Sequence, residues 1–417
     1  MANETINKKT SLANEESFSF LSGLWTGKKP PYTKAVVIRN TNFSNDGKVD
    51  YSNIAVLDVE IKQLEKRKLQ KGDIIIEKSG GGPKQPVGRV VYFEKEDSEI
   101  DYSFSNFTSV IRVINNQEFD SRFVFYFLFN FYSEGKTEDL QRRTTGIRNL
   151  DVSGYKEAVT LPEYSKSEQK AIARVLTTVQ NAIARQEELI AKLKELKRSM
   201  MHHLFTHGTK GEKTKMTEIG EIPEIWKICK IKDFGHVITG NTPPTKNLAY
   251  YGGSYNLVSP ADLIDEIYVR TSHKKITDAG LRVARTVPKN SVFVGCIGNV
   301  GKIGISKDEV TAFNQQINAV VCNEKFNFLF VYYLLTFYRS VLESKSAKVT
   351  LPILNKSNFE NIEFFAPELK EQENIATALY SVDKKIESTH SKLSVYQTLF
   401  KTLLHELMSG ERRIKKT

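Results

Sequence analysis

One long helical segment occurs twice in this chain, and no other feature of the sequence restricts the fold as strongly. The segment from Ser167 to Phe205 aligns without a gap with the segment from Lys370 to Met408, so that Glu168-Gln169 meets Glu371-Gln372. Apolar residues follow a 4-3-4-3 spacing in both copies, which is typical of a coiled-coil seam. The sequence therefore predicts two long, related helices that are far apart along the chain.

The two helices are expected to pair with each other, since neither apolar seam can stay exposed to water. The intervening segment is long enough for the second helix to return antiparallel, which predicts a pseudo-two-fold internal repeat. A polar residue stands at the same heptad step in both copies, and it either fixes the register or is only half-buried. The predicted seam residues are Ile172, Leu176, Val179, Ile183, Gln186, Ile190 and Leu193 in the first helix, and Ile375, Leu379, Val382, Ile386, Thr389 and Leu393 in the second.

Local signals place the ends of the helices. Ser165 and Glu168 have the spacing of a capping box, which favours a helix start at this point. Gly208 and Gly410 follow the last apolar positions of the two helices, and glycine is the usual residue just beyond a helix C-terminus.

Each long helix is preceded by a variable domain that is strand-rich. Residues 71–93 and 289–306 both read as strand, glycine loop, strand. A short aromatic segment follows in each half, "FVFYFL" from Phe123 and "FVYYLL" from Phe330. The predicted fold class is therefore α+β, with two tandem α/β domains separated by the two long antiparallel coiled-coil helices. The predicted boundaries are 1–147 for the first variable domain, 148–213 for the central conserved region with its long helix, 214–352 for the second variable domain and 353–417 for the C-terminal conserved region with its long helix.

The overall charge indicates the kind of partner. A net charge of +11 over 417 residues favours a polyanion, nucleic acid before membrane. The polar N-terminus lacks the apolar region of a signal peptide, and the aromatic run from Phe123 is shorter than the roughly 18–20 residues of a membrane span. Three cysteines without a C-x-x-C pair indicate reduced thiols in a cytoplasmic protein.

Several motifs resemble catalytic or metal sites but lack required residues. "GNVGKIG" from Gly298 follows Cys296 where a phosphate-binding loop needs glycine, and it lacks the final Ser/Thr. The Pro-Pro segments at Lys29 and Thr242 lack the Asn or Asp of an adenine methyltransferase motif. His203 and His207 have no evident third ligand. The sequence therefore predicts no catalytic centre and no metal site.

Two different domains joined by rigid helices suit the reading of two different DNA half-sites. Lysine and arginine can bind phosphates or guanine, while asparagine and glutamine can read adenine. The alternative for each candidate is a solvated surface residue or a polar residue of the core. The candidates in the first domain are Arg39, Asn40, Lys78, Ser79, Lys84, Gln85, Arg89, Arg142 and Arg143. The candidates in the second domain are Asn241, Thr242, Lys246, Ser259, Asp262, Asn299, Lys302, Gln315 and Gln316.

The ordered set of motifs resembles the specificity subunit of a type I restriction-modification enzyme over nearly the whole chain. The segments that carry the resemblance in the second half are "EIPEIWK" from Glu221, "TGNTPP" from Thr239, "FNQQINAVV" from Phe313 and "APELKEQENIA" from Ala366. Those in the first half are "GDIIIEKSGGGPKQPVGRV" from Gly72, "SNFTS" from Ser105, "TTGIRNLD" from Thr144 and "LPEYSKSEQKAIA" from Leu161. The Pro-Pro segment of the first half does not match "TGNTPP", so the two domains should contact DNA differently.

This resemblance implies a function. Each variable domain would be a target-recognition domain that reads one part of a split site on double-stranded DNA. The helices would set the spacer and dock methyltransferase subunits, two of them, and restriction subunits would join that core. The chain itself would be non-catalytic and hold no cofactor, while its partners would use S-adenosylmethionine, ATP and Mg²⁺. The alternative is a coiled-coil scaffold without specific DNA recognition.

Overall fold

The computed structural model describes residues 10–24, 29–82, 85–96, 99–144, 147–264, 266–346 and 352–414. The chain divides into two compact units, one of residues 1–187 with 391–417 and the other of residues 188–390. Each of the two long helices therefore contributes one of its halves to each unit.

The first half of the chain contains twelve strands, three short helices and the first long helix among its described residues. The strands are β1 Thr10–Ser11, β2 Phe18–Ser22, β3 Tyr32–Ile38, β4 Ala55–Glu60, β5 Ile74–Glu77, β6 Ser79–Gly81, β7 Val90–Tyr92, β8 Tyr102–Phe104, β9 Thr108–Val113, β10 Gln141–Thr144, β11 Ile147–Leu150 and β12 Thr160–Leu161. The helices are α1 Ile61–Arg67, α2 Ser121–Ser133, α3 Val152–Ala158 and α4 Lys166–His207, with 3-10 turns at Asn40–Asn42 and Glu138–Leu140.

The second half contains thirteen strands, five short helices and the second long helix among its described residues. Its strands are β13 Thr214–Thr217, β14 Gly220–Pro223, β15 Lys227–Lys230, β16 Gly235–Thr239, β17 Tyr251–Val258, β18 Tyr268–Val269, β19 Lys274–Ile276, β20 Thr286–Pro288, β21 Val292–Gly295, β22 Ile303–Ser306, β23 Val310–Phe313, β24 Ile317–Cys322 and β25 Glu363–Ala366. Its helices are α5 Ile231–Phe234, α6 Asp278–Val283, α7 Phe328–Phe337, α8 Arg339–Ser344, α9 Lys356–Glu360 and α10 Leu369–Ser409, with a 3-10 turn at Leu248–Tyr250.

In the first unit, a four-stranded antiparallel sheet of order β2-β9-β5-β7 carries the core. Strand β5 is buried along its whole length, which explains its uninterrupted run of isoleucines. The same unit contains a three-stranded sheet of order β4-β3-β8, in which β3 and β8 are parallel. Strand β6 joins the hairpin β10-β11 in a third sheet.

The second unit also contains a main sheet and a second sheet with one parallel pair of strands. A five-stranded sheet of order β16-β24-β21-β22-β18 corresponds to the first unit's main sheet, and a four-stranded sheet of order β19-β17-β23-β20 contains the parallel pair β17-β23. A glycine-rich segment that includes β6 lies between β5 and β7, and a glycine loop connects β21 to β22. The mixed α+β architecture and the strand, loop, strand pattern predicted from the sequence are therefore confirmed.

The two domains share a backbone hydrogen-bond frame around these loops. In the first domain, Lys78 N donates to Phe107 O at 3.0 Å, and in the second Cys296 N donates to Gln316 O at 2.8 Å. Two further bonds agree, because Leu150 N donates to Lys78 O and Leu354 N donates to Cys296 O, both at 2.8 Å. The repeat visible in the sequence is thus a repeat of the loop framework, although the side chains on it differ.

The aromatic helices α2 and α7 begin in the same way. The side chain of Asp120 accepts hydrogen bonds from the first backbone N–H groups of α2, and that of Asn327 does so for α7. Gln169 Oε1 accepts from Asp120 N at 2.8 Å, and Gln372 Oε1 accepts from Asn327 N at 3.0 Å. The duplicated glutamine therefore connects the start of each long helix to the start of the aromatic helix before it.

The long helices pack antiparallel within each unit. In the first unit, Tyr164 Oη, just before α4, donates to Leu407 O near the end of α10, at 3.0 Å. In the second unit, Thr209 N, just after α4, donates to Glu371 Oε1 near the start of α10, at 3.2 Å. In both units the start of one long helix contacts the end of the other, so the predicted antiparallel coiled coil is confirmed.

The seam positions follow the predicted pattern of burial. Ile172, Leu176, Ile190, Ile375, Leu379, Val382 and Thr389 are buried, and Val179, Ile183, Gln186, Leu193, Ile386 and Leu393 are half-buried. Thr389 Oγ1 donates to Lys385 O of its own helix at 2.7 Å, so this buried hydroxyl is satisfied without a partner across the seam. The predicted capping bond from Glu168 N to Ser165 Oγ is present at 3.2 Å.

Candidate nucleic-acid interface

A buried ion pair organises the glycine loop of the first domain. The carboxylate of Glu77 is almost fully buried, and Arg89 donates to it from Nε at 2.8 Å and from Nη2 at 3.1 Å. Arg89 Nη2 also donates to Asn40 O at 3.1 Å, and Nη1 donates to Phe43 O at 3.3 Å. The described contacts of Arg89 are thus structural, because they fasten the loop after β3 to the strand end at Glu77.

Asn40 and Ser79 lie next to this pair. Asn40 Nδ2 donates to Glu77 Oε1 at 3.1 Å and to Ser79 O at 3.4 Å. Ser79 Oγ donates to Asn149 Oδ1 of β11 at 2.6 Å. Lys78, between them in sequence, is half-buried, and burial lowers the pKa of its ammonium group. The structure therefore brings Asn40, Lys78, Ser79 and Arg89 together at one loop cluster.

The remaining candidates of the first domain are spread around that cluster. Arg39 Nη2 donates to Asn53 O at 3.2 Å, and Arg142 Nη2 lies 2.8 Å from Asp151 Oδ2 on an exposed side chain. Gln85 is exposed. Arg143 lies in β10, but its side chain is outside the description, and Lys84 lies outside the described residues.

In the second domain, the loop after β16 meets the turn between β23 and β24. Thr242 Oγ1 donates to Gln315 Oε1 at 2.6 Å, and Asn241 N donates to Phe313 O at 3.0 Å. Asn241 Nδ2 donates to Val283 O at 3.0 Å. Gln315 is exposed, and Thr242 and Asn241 are half-buried. These polar side chains form a second loop cluster with a composition unlike that of the first.

Gln316 and the glycine loop between β21 and β22 join this second cluster. The amide of Gln316 accepts from Asn314 Nδ2 at 3.0 Å, and its backbone carbonyl accepts from Cys296 N. Asn299 on the glycine loop is exposed and Lys302 is half-buried. Lys246 is exposed on the loop after β16.

Asp262 holds the loop after β17. Its carboxylate is nearly fully buried and accepts from Ser259 N at 2.8 Å, from Ser259 Oγ at 2.7 Å and from His273 N at 2.8 Å. Burial alone raises the pKa of Asp262, but the hydrogen bonds from Ser259 and His273 together lower it below its usual value. Asp262 therefore stabilises the conformation of this loop. Asn42 has the corresponding role in the first domain, where its Oδ1 accepts a hydrogen bond from Arg39 N at 3.0 Å.

Sequence reasoning missed several residues at these clusters. Glu77 lies within a strand pattern that gave no sign of a buried carboxylate. Phe107 is 43% exposed beside the first cluster, and its place in "SNFTS" was the only signal for it. Arg285 Nη1 donates to Thr239 O at 2.8 Å beside the second cluster, but it stands in no motif.

No group of three side chains among the described residues could hold a metal ion. His203 and His207 stack on each other with ring centroids 5.3 Å apart. None of the helices in the described ranges is both long enough and apolar enough to cross a membrane.

Comparison with known families agrees with this arrangement. The family model described as "Type I restriction modification DNA specificity domain" matches residues 24–195 and again residues 223–395. The chain belongs to this family. Its two matched regions each contain most of one recognition domain and most of one long helix. As a specificity subunit of a type I restriction-modification system, the chain carries DNA-recognition domains and is not itself catalytic.

Individual relatives match either most of the chain or less than half of it. A putative type I restriction enzyme MjaX specificity subunit from Methanocaldococcus jannaschii is 23% identical, covering 89% of this chain and 86% of the relative. The type I restriction enzyme MjaIX specificity subunit of the same organism is 30% identical over 41% of this chain and 40% of its own length. The crystal structure of a type I restriction-modification S subunit from M. genitalium has a similar fold, with a TM-score of 0.63 and 16% identity over 100% of this chain and 99% of that one.

Proposed function

We propose that the two recognition domains read the two parts of a split, asymmetric DNA sequence, and that the paired helices set the spacer between them. On this proposal the helices also dock two methyltransferase subunits, and restriction subunits join that core in the cytoplasm. S-adenosylmethionine, ATP and Mg²⁺ would then be bound by the partner subunits.

One observation carries the proposal of two different half-sites. The loop frames of the two domains share the same backbone hydrogen bonds, but the side chains on them differ in charge and kind. Glu77 N donates to Arg89 O at 2.8 Å, and Gly295 N donates to Lys302 O at 2.8 Å, so these two pairs of residues correspond. The side chains of Glu77 and Arg89 form an ion pair, whereas Gly295 has no side chain to bind Lys302. Because base edges are distinguished by hydrogen-bond pattern, two frames with different donors and acceptors should select different bases.

The first experiment is a genome-wide map of methylated adenines in the host, with this gene intact and with it deleted. Loss of one split, asymmetric motif on deletion supports the proposal and identifies both half-sites. A map that does not change on deletion, in cells that express the methyltransferase subunit, contradicts it and favours the scaffold alternative.

Two chimaeras separate the roles of domains and helices. Exchange of residues 1–147 for the same region of a relative should change one half-site and leave the other half-site and the spacer unchanged. Insertion of four residues, about one helical turn, after Leu189 and after the aligned Lys392 should change the spacer and leave both half-sites unchanged. Each chimaera is the control for the other, and a helix insertion that alters bases or leaves the spacer intact contradicts the role of the helices.

Salt dependence distinguishes specific DNA binding from a scaffold. Affinity for a duplex containing the motif should fall with salt, with a log–log slope of about −0.9 for each phosphate contacted. Binding of the assembled complex that is equal for the motif and for a scrambled duplex contradicts sequence recognition.

A further inference from the structure

The orientation of one amide in the first loop cluster is fixed by its neighbours. Asn40 Nδ2 lies 3.1 Å from Glu77 Oε1 and 3.4 Å from Ser79 O. A carboxylate and a carbonyl can only accept, so the nitrogen end of the amide must face them. Its two protons have one acceptor each, and Nδ2 has no proton left for a further partner.

The acceptor that fixes this amide is itself held rigidly. Glu77 has a side chain 2% exposed, and the two-bond pairing with Arg89 fixes the plane of its carboxylate. Arg89 also donates to the backbone carbonyl of Asn40 at 3.1 Å. Backbone and side chain of Asn40 are thus positioned by the same ion pair.

A glycine allows the amide to lie in this position. Gly80 has φ +103°, and a Cβ built on it would meet Asn40 Nδ2 at 2.7 Å. A Cβ on Gly82, two residues along the same loop, would have nothing within 4 Å. The requirement for glycine at residue 80 therefore comes both from its backbone conformation and from the amide of Asn40.

The oxygen end of the same amide is available. No described residue donates to Asn40 Oδ1, and it is not among the buried side-chain atoms without a partner. The side chain is half-buried, and both it and the exposed ring of Phe107 lie next to Gly80. Asn40 therefore offers an acceptor and no donor to a ligand at this loop.

We propose that Asn40 is a specificity-determining residue, whose Oδ1 accepts a hydrogen bond from the exocyclic amino group of an adenine or a cytosine in the major groove. This inference rests on the proposed function. The usual two-bond contact of asparagine with adenine also needs a free Nδ2, which Asn40 does not have. Asn40 can therefore distinguish bases with an amino group, adenine and cytosine, from bases with a keto group, guanine and thymine. It does not distinguish adenine from cytosine by itself.

The same reader is missing from the second domain. The strand position of Glu77 is held there by Gly295, which has no side chain to orient an amide. The effect of Asn40 should therefore be confined to the first half-site.

The test is the methylation map of hosts that carry Asn40→Ala, Gly80→Ala or Gly82→Ala in the otherwise intact complex. Asn40→Ala and Gly80→Ala should relax one position of the first half-site, lowering its discrimination by about ten- to hundredfold. The newly accepted bases should be keto bases, guanine or thymine, where the wild type has adenine or cytosine. On the opposite DNA strand the same relaxation is seen as a keto base replaced by an amino base. The change between amino and keto bases can therefore be recognised without knowing which strand Asn40 contacts. Gly82→Ala should keep the wild-type motif.

The wild-type base at the relaxed position shows whether adenine or cytosine is the source of the amino group. An unchanged first half-site, relaxation only from adenine to cytosine, or a change confined to the second half-site or the spacer overturns the inference. The proposed function survives such a result, provided that the split motif still depends on the gene.

A second measurement covers failure of the single substitution. If Asn40→Ala abolishes all methylation, the wild-type complex is tested for binding to duplexes in which each adenine or cytosine of the first half-site is replaced in turn by an analogue without the exocyclic amino group, purine or 2-pyrimidinone. Affinity should fall about ten- to hundredfold at one position of the first half-site, and the same replacement in the spacer is the control. Unchanged affinity at every position of the first half-site overturns the inference.

Discussion

The hydroxyl of Tyr333 on α7 donates to Asp383 Oδ2 on α10 at 2.6 Å. The other oxygen of the same carboxylate lies 2.7 Å from Lys197 Nζ on α4, and both charged side chains are mostly buried. One carboxylate thus joins the second domain's aromatic helix to both long helices. Burial is the main cause that raises the pKa of the Tyr333 hydroxyl, and the negative charge of Asp383 is the second. The hydroxyl therefore stays protonated and donates a hydrogen bond.

The corresponding position of the first unit has no charge. Tyr126 Oη donates to Gln180 Oε1 at 2.8 Å, and Phe400 packs on the Tyr126 ring with centroids 6.2 Å apart. Gln180 and Asp383 occupy the same step of the duplicated helix, as do Lys197 and Phe400. The repeat has therefore kept the tyrosine and replaced a neutral partner set by a charged one.

Asp383→Ala should destabilise the second unit by about 2–3 kcal/mol, because it leaves Lys197 mostly buried without its counter-charge. The measurement is urea unfolding followed by circular dichroism. Lys197→Met/Asp383→Leu is the matched control and should recover much of the loss, since an apolar pair leaves no unpaired charge. A single variant as stable as the wild type would show that the pair contributes nothing.

Gln372→Met should lower the free energy of unfolding by about 1–3 kcal/mol. The substitution removes a hydrogen bond to the N-cap of α7 and leaves buried polar groups without a hydrogen-bond partner. In the wild type, Gln372 Nε2 donates to Pro367 O at 3.0 Å and to Lys325 O at 3.2 Å, besides the bond that its oxygen accepts. Gln397 on the same helix is exposed, and Gln397→Met should change stability by less than about 0.5 kcal/mol. Equal losses from the two substitutions would contradict the role of Gln372 as a clamp.

The stability of the first unit should depend on pH through His405. Its Nδ1 lies 2.7 Å from Glu134 Oε1, and this hydrogen bond raises the pKa of His405 above 6.5. A histidine whose pKa is raised by folding contributes fully below its unfolded pKa of about 6.5, and the contribution disappears as the pH rises through the folded pKa. The urea midpoint of His405→Gln should therefore differ from that of the wild type more at pH 6 than at pH 9.

Glu134→Gln supplies the control for this pH dependence, because it removes the carboxylate with which His405 pairs. In that background, the effect of His405→Gln should differ less between pH 6 and pH 9 than it does in the wild type. If His405→Gln in the wild type gives the same difference at pH 6 and pH 9, the ion pair with Glu134 does not form in solution.

The sequence predicted those parts of the fold that local patterns determine. Heptad spacing located the seam, Ser165 marked the first long helix, and Gly208 and Gly410 adopt positive φ at the two helix ends, as expected for C-terminal glycines. Thr389 shows the limit of such patterns, because its place in the seam was predicted but its bond to its own helix was not. A heptad position specifies burial and leaves the choice of partner open.

The loop clusters could be predicted only in outline. Asn40, Thr242 and Gln315 were identified by residue type, and the structure brings each into a loop cluster. The partners that orient them come from distant segments, as Glu77 does for Asn40, and no periodic pattern connects such positions. Whether Asn40 and the other candidates contact bases stays a prediction, because residue type alone does not distinguish a base reader from a structural contact.

Arg89→Lys tests that distinction at the buried pair. Lysine keeps the charge but cannot donate to both oxygens of Glu77 and also to the carbonyls of Asn40 and Phe43, so the first unit should lose about 2–3 kcal/mol in urea unfolding. Arg142→Lys is the matched control, since its pair with Asp151 is exposed, and it should cost less than about 0.5 kcal/mol. If Arg89→Lys is as mild as Arg142→Lys, the bidentate pair is not what holds the glycine loop, and Arg89 becomes available again as a DNA contact.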